Sequence, residues 1–318
     1  MPERAAARTR LVTTLAFACI WLVWGSTFLT IRHVIETVPA VLMCGLRLLC
    51  AGVLLAAWAL VTRAPLPQGV QWRNAALVGV LLPGVGNLSV AFGVAHMPSG
   101  LVALLVGTIP LWMGLFSAVG PHAEPPARPA VLGLVLGFAG IALLVGPGLL
   151  EPGSVAELGH QPWWVWVPVL GSLSWAWGSL WSRRADMPAS GLVSTAVGLT
   201  AAGLVQCAVA WGLGDVAAWR PAAVPWTAWA GFAWLVVFGS VLGFGSYLYL
   251  LRRQPPAVVA TYAFVNPIVA MTLGWAFGGE ALRPRTLVAA AVVLAGVVLI
   301  TTARSAPAPR PVDPAPPE

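Results

Sequence analysis

PPAVVATYAFVNPIVAMTLGWAFGGE, residues Pro255 to Glu280, decides how the chain is read. Its apolar part, Ala257 to Gly278, is long enough to cross a bilayer as a helix, which takes roughly 20 residues. Two residues at its middle are out of place in a plain anchor. Asn266 puts an amide in hydrocarbon, and Pro267 removes a backbone donor, leaving the Ala263 carbonyl without its helical partner. A helix that lines a polar cavity tolerates such a break. An earlier stretch, Pro98 to Gly120, repeats the design, with Pro110 in the place of Pro267 and Thr108 as a nearby hydroxyl.

Composition points the same way. Of 318 residues, 59% are hydrophobic and 8% charged, which excludes a soluble domain and sets the class as an all-α membrane protein. The apolar residues come in unbroken runs, not in alternation, so a β-barrel is excluded. The net charge of +7 arises from 17 Arg against 10 acids, with no Lys. These Arg sit between apolar runs and never cluster, so they read as topology signals and not as a nucleic-acid surface. Cys19, Cys44, Cys50 and Cys207 lie in apolar runs without C-x-x-C spacing and read as small core residues.

Hydropathy divides the chain into ten spans, at about 11–31, 40–61, 75–95, 100–120, 130–149, 163–182, 189–212, 226–251, 256–278 and 285–303. Residues 1–10 form a short N-terminal segment, 11–150 a first half of five spans, 151–162 a linker, 163–303 a second half of five, and 304–318 a Pro-rich tail expected to be disordered. An even number of spans puts both termini on one side. Twelve Arg (Arg4, Arg8, Arg10, Arg63, Arg73, Arg128, Arg183, Arg184, Arg252, Arg253, Arg304, Arg310) share that side, against Arg32, Arg220, Arg283 and Arg285 on the other. The termini are therefore expected in the cytoplasm of a bacterial inner membrane.

The halves repeat. Trp24-Gly25-Ser26 recurs as Trp177-Gly178-Ser179, and Pro98, Ala103 and Pro110 recur as Pro255, Ala260 and Pro267 at nearly the same offset. Gly86 and Ser89 match Gly243 and Ser246, and Arg128-Pro129 matches Arg283-Pro284. Because each half holds an odd number of spans, the copies lie upside down to each other, the architecture of alternating-access transporters with a site near midplane.

WGSTF at Trp24–Phe28, RLLCAG at Arg47–Gly52, TIPLW at Thr108–Trp112, GFAGIALL at Gly137–Leu144, WAWGS at Trp175–Ser179 and YAFVNPIVA…GGE at Tyr262–Glu280 together resemble the drug/metabolite transporter superfamily. More narrowly, the ordered set resembles bacterial permeases with two EamA domains, over roughly residues 11–303. The resemblance implies a ten-helix exporter of small metabolites, amino acids or drugs, and leaves the solute open. An uncoupled facilitator or channel-like permease of the same fold is the alternative.

Asn266 is the first candidate for the cavity wall, with Pro110 and Pro267 as hinges; a kink packed on a neighbouring helix is the competing reading. Trp24 and Ser26 in the first span, with Trp177 and Ser179 in the sixth, are candidates for paired gates or for close helix packing. Arg47 is the one charge well inside a span, a functional candidate unless it only snorkels or caps a carbonyl. Asn87, Tyr247 and Tyr262 add polar atoms to the same wall, and spans 1, 3, 4, 6, 8 and 9 are expected to form it. Trp21, Trp175 and Trp181 read as interfacial or packing aromatics. Glu280 is expected to cap its span and pair with Arg283 or Arg285.

No enzyme is expected. His33, His96, His122 and His160 are scattered over loops, without paired carboxylates, a nucleophile elbow or metal spacing, so catalytic residues, cofactors and metals are all absent from the reading. The expected partners are a small-molecule solute and the lipid bilayer, not nucleic acid; a homodimer is left open. Every acid lies in a terminus, a loop or a span edge, so no midplane carboxylate carries protons as in the superfamily's four-helix multidrug members. A neutral, zwitterionic or anionic solute follows, moved either without coupling or with protons through Glu280.

Overall fold

The computed structural model describes residues 2–117, 128–150, 162–254, 256–259 and 262–302, and every regular element among them is helical. Helix α1 runs as Pro2–Ala18, passes through a π-helical stretch, Cys19–Val23, and resumes as Trp24–Ile35. It starts earlier than the expected 11, because PERAAARTR is a good helix former and continues the span. α2 is Ala40–Val61. α3 is Val70–Gly79, a π stretch Val80–Gly84 around Pro83, and Val85–His96. α4 is broken at Gly107 and Thr108 into Ser99–Val106 and Ile109–Ser117. α5 is Arg128–Leu150.

A turn of 3₁₀ helix, Pro162–Val165, leads into α6, Trp166–Arg184, and α7 is Gly191–Gly212. α8 comprises Trp226–Trp234, a π stretch Leu235–Leu242 and Gly243–Arg253. α9 comprises Pro256–Val259 and Tyr262–Phe277, and α10 is Pro284–Thr302. Most of the 151–162 linker and all of the 304–318 tail lie outside the described residues.

Among the described residues, six helices are long and apolar enough to cross a membrane: Thr9–Ile35, Ala40–Val61, Val70–His96, Ser99–Phe116, Gly191–Gly212 and Trp226–Arg253. Shorter apolar stretches occupy Arg128–Gly140, Val265–Phe277 and Pro284–Leu299. α6 is less apolar because Ser172, Ser174, Ser179 and Ser182 interrupt its Trp and Leu.

The surface is inverted relative to a soluble protein. Trp211, Trp226 and Phe277 are 76%, 78% and 80% exposed, while Arg47, Asn266, Gln206 and Ser179 are buried. Large apolar side chains facing out and polar ones facing in suit a lipid solvent, where polar groups need internal partners. Without a hydrophobic drive between helices, close backbone approach supplies the packing. α7 lies along α2 and α3, and Gly79 and Gly198 let α3 touch α7 so closely that a Cβ on Gly79 would overlap the Gly198 carbonyl. α5 packs on α10, α4 on α9, α3 on α6, and α1 on α8 and α9.

Candidate functional site

The three π stretches decide where polar side chains go. A π stretch shifts the backbone ladder from i+4 to i+5 and leaves a carbonyl without its amide. In a bilayer that oxygen must find a donor. Each stretch here is capped from another helix. On α1, the Asn266 side chain satisfies its neighbours only with its nitrogen turned toward that helix, where it donates to the carbonyls of Ile20 at 3.0 Å and Trp21 at 2.9 Å. On α3, Ser174 Oγ donates to the Leu81 carbonyl at 2.8 Å and Gln206 Nε2 to that of Gly84 at 2.7 Å. Asn87 Nδ2 covers the Pro83 carbonyl from one turn along its own helix, at 2.9 Å. On α8, Arg47 Nε donates to the Leu235 carbonyl at 3.2 Å and Trp24 Nε1 to that of Gly239 at 3.0 Å.

These stretches surround a central cavity of about 60 Å³. Its walls come from α1, α3, α4, α6, α8 and α9, with Leu199 of α7 closing one side. Small-molecule sites usually measure roughly 300–1,000 Å³, so the cavity is contracted and must widen to hold most solutes. Trp24, Trp175, Phe244 and Tyr262 form its aromatic side. The Trp24 ring meets Trp175 at 5.5 Å and Tyr262 at 5.3 Å, both edge to face. The Tyr262 hydroxyl in this wall has no hydrogen-bond partner, while the Trp175 indole N–H faces the Tyr247 hydroxyl. An unmet buried polar group costs about 1–3 kcal/mol, so the Tyr262 hydroxyl favours a ligand that hydrogen-bonds to it.

The candidate residues distribute unevenly around this space. Trp24, Asn87, Tyr262 and Asn266 line it. Tyr247, only 1% exposed, lies one turn beyond Phe244 and touches Trp24, Trp175 and Tyr262 through its ring. Its hydroxyl meets Ser179 Oγ at 2.8 Å; since Ser179 donates to the Trp175 carbonyl at 2.7 Å, the tyrosine is the donor of the pair. Ser26 stays off the cavity, donating to the Val23 carbonyl at 2.7 Å and accepting from Trp234 Nε1 at 3.3 Å.

Trp177 points away, exposed and edge-on to Phe116 at 5.8 Å. The cavity tryptophan of α6 is Trp175, which sequence alone assigns to packing. Along a helix, a shift of two positions turns a side chain to the opposite face, so the repeated Trp-Gly-Ser motif does not place its two Trp alike. Pro83, Gly239 and Ser240 also line the cavity without having been singled out. Pro83, a mid-span proline like Pro110 and Pro267, was the available signal.

The two proline breaks meet. Pro267 sits inside α9, and Pro110 in the first turn of the second α4 segment. Gly107, at the α4 break, backs onto the Ala263 carbonyl that Pro267 deprives of its amide; a Cβ on Gly107 would stand 3.0 Å from that oxygen.

Toward the C-terminal ends of α1 and α9, Glu280 ties three helices together. Its Oε1 accepts from Arg32 Nη1 at 2.6 Å and from the Ser99 backbone N–H at 2.8 Å, and Oε2 accepts from the Gly100 N–H at 3.3 Å. The partner is Arg32 of α1, not the sequence neighbours Arg283 or Arg285. A carboxylate at the N-terminus of α4 meets both its unmatched amides and its positive dipole end. Gly274 makes room, since a Cβ there would overlap Glu280 Oε2.

Among the described residues, no three His, Cys, Asp or Glu side chains gather as a metal site requires. The arrangement can hold and release a small solute between helices, with most of its interior amide donors committed to backbone oxygens.

Comparison with known proteins agrees with this geometry. The EamA-like transporter family matches the chain twice, over residues 12–146 and 162–302. The "Uncharacterized inner membrane transporter YedA" of Escherichia coli (strain K12) is 34% identical over 287 residues, covering 90% of this chain and 89% of that protein. "Protein PecM" of Dickeya dadantii (strain 3937) is 26% identical, covering 87% and 88%. The "WAT1-related protein At3g02690, chloroplastic" of Arabidopsis thaliana is 24% identical, covering 87% and 66%. A solved structure titled "Crystal structure of protein" shares the fold with a TM-score of 0.65 at 19% identity, covering 92% of this chain and 98% of that one. Two family matches and a full-length relative at this identity make the chain a membrane protein of the EamA-like transporter family.

Proposed function

We propose that this protein is a secondary transporter that exports a small metabolite, amino acid or drug-like solute across a bacterial inner membrane by alternating access. Its ten spans form two inverted five-helix repeats, 11–150 and 163–303, with both termini in the cytoplasm. The helix pairing supports the repeat. Exchanging each helix for the one five places on maps the contacts α2–α7, α4–α9 and α5–α10 onto themselves, and α1–α8 onto α6–α3. The double family match and the twelve-to-four division of Arg point the same way.

The observation that carries the reading is a small cavity between the repeats with a tie on either side. On the side of the α6 and α8 C-termini, the Tyr247–Ser179 bond and the ring cluster act as an inner gate. On the other, the Glu280–Arg32–α4 tie acts as an outer latch, and breaking one while keeping the other gives alternating access. Trp24, Asn87, Tyr262 and Asn266 contact solute from the cavity wall. Ser26, Arg47, Trp177 and Ser179 act from behind it, and Pro110 and Pro267 act as hinges. An uncoupled facilitator of the same fold uses the same wall with both gates loosely coupled.

The test is a tolerance screen of overproducing cells against amino acids, their analogues and drugs, followed by counterflow in proteoliposomes with any solute that scores. Saturable flux that Tyr262→Phe or Trp175→Phe impairs is expected. Linear, unsaturable flux would overturn alternating access.

A further inference from the structure

Arg47 is a buried cation without a counter-ion. It is 2% exposed, two turns into α2, and it stays protonated. Among the described residues the ion pairs are Arg32–Glu280 and His33–Glu36, and Arg47 takes part in neither. Its Nε donates to Ser240 Oγ at 2.8 Å and to the Leu235 carbonyl at 3.2 Å, while Nη1 has no partner. Neutral dipoles soften the burial of a charge but do not cancel it, and buried charges in proteins are otherwise paired.

The place of Arg47 relative to the cavity is the second observation. Gly239 and Ser240 line the cavity, and both lie against Arg47. A Cβ on Gly239 would stand 2.8 Å from Arg47 Nη2, so the guanidinium packs directly behind the Gly239 backbone that lines the cavity. Both residues belong to the α8 π stretch, a segment whose ladder is already shifted. No carboxylate lines the cavity to compete for the cation.

We propose that the solute carries an anionic group, a carboxylate or a group of like size and charge, which reaches Arg47 past Gly239 and supplies the missing counter-ion. The aromatic side of the cavity then receives the rest of the molecule, and the Tyr262 hydroxyl takes a further acceptor. Zwitterionic and anionic solutes are accepted, whereas neutral and cationic ones are rejected, because only an anion relieves the buried charge. The physiological meaning rests on the transporter reading. The binding test does not, so either can fail alone.

Acetate is the probe, small enough for the contracted cavity. The purified full chain in detergent is titrated with acetate replacing gluconate, an anion too bulky for the cavity, at constant pH and ionic strength. Acetamide serves as the neutral isostere, and the thermal unfolding midpoint is read. Acetate should raise the midpoint saturably and acetamide should not. Arg47→Met, which fills the volume without charge, should weaken acetate binding at least about tenfold, the worth of a charge-assisted hydrogen bond. Gly239→Ala keeps the cation and closes the window, so it should weaken binding similarly; it carries the test if Arg47→Met does not fold. Arg73→Gln, an exposed control, should bind as the parent does. No acetate effect in the parent, an equal effect of acetamide, or an effect unchanged in both variants would overturn the proposal.

Discussion

Replacing Glu280 by Gln isolates the outer latch. The carboxylate is 7% exposed and accepts from Arg32 and from two backbone amides at the start of α4. Glutamine keeps the shape and one acceptor oxygen, but loses the charge that strengthens all three bonds and favours the helix end. Arg32 is 39% exposed, so water already screens that bond and its share is discounted. About 1–2 kcal/mol of differential stabilisation remains, mostly from the two amides, and that corresponds to a fivefold to thirtyfold shift from latched to unlatched. The assay uses a background without Cys19, Cys44, Cys50 and Cys207, carrying Ser26→Cys or Ser179→Cys, and an impermeant maleimide applied to right-side-out or inverted vesicles. Glu280→Gln should speed labelling at position 26 from outside by at least about fivefold and leave position 179 from inside unchanged or slower. Arg32→Gln should act in the same direction by less, and the double variant should fall short of the sum because both remove one interaction. Unchanged labelling at position 26 would refute the latch. Equal acceleration at both positions would mean general loosening and refute it too.

A phosphatase fused after Arg304 should be inactive and a fluorescent protein at the same place bright; the opposite pattern would overturn the orientation. Asn266→Ala leaves the Ile20 and Trp21 carbonyls uncapped, and at about 1–3 kcal/mol for a buried polar group it should lower the unfolding midpoint by several degrees. Asn266→Asp, which cannot donate when ionised, should lower it at least as much, and no loss in either would refute the capping role. In proteoliposomes a solute gradient alone should drive flux, and Asn266→Ala or Arg47→Ala should reduce that flux more than Glu280→Gln. Strict dependence on a proton gradient, abolished by Glu280→Gln, would make Glu280 the coupling site.

Much of this was legible in the chain. Asn266-Pro267 and its twin at Pro110 announced helices broken around a cavity, because amides and missing donors in hydrocarbon demand an explanation locally. The π stretches were not legible. CIWLV, VLLPG and LVVFGSVL read as ordinary apolar turns, and the i+5 ladder holds only because distant side chains cap the carbonyls it frees. Gln206 is illegible for the same reason: nothing near it in sequence shows that it faces Gly84 of another helix. For Glu280, sequence offers only its neighbours Arg283 and Arg285, because it shows proximity along the chain alone. The fold instead brings Arg32 and the start of α4 to it.

The capping pattern also bears on specificity. In a transporter interior, polar side chains are usually read as solute contacts. Here the donors of Asn266, Asn87, Gln206 and Trp24 are engaged with backbone carbonyls that would otherwise be stranded. Removing any of them disturbs a helix before it disturbs a solute, so transport loss in such variants is first a sign of altered backbone geometry. What remains free to discriminate is a short set: the aromatic faces, the Tyr262 hydroxyl and the unmatched guanidinium of Arg47. Both polar members can donate. A pocket whose free groups are donors rewards acceptors and, with one of them a cation, rewards an anion most. Mutating the cappers should therefore change stability and rate together, whereas mutating the free donors should change which solutes move.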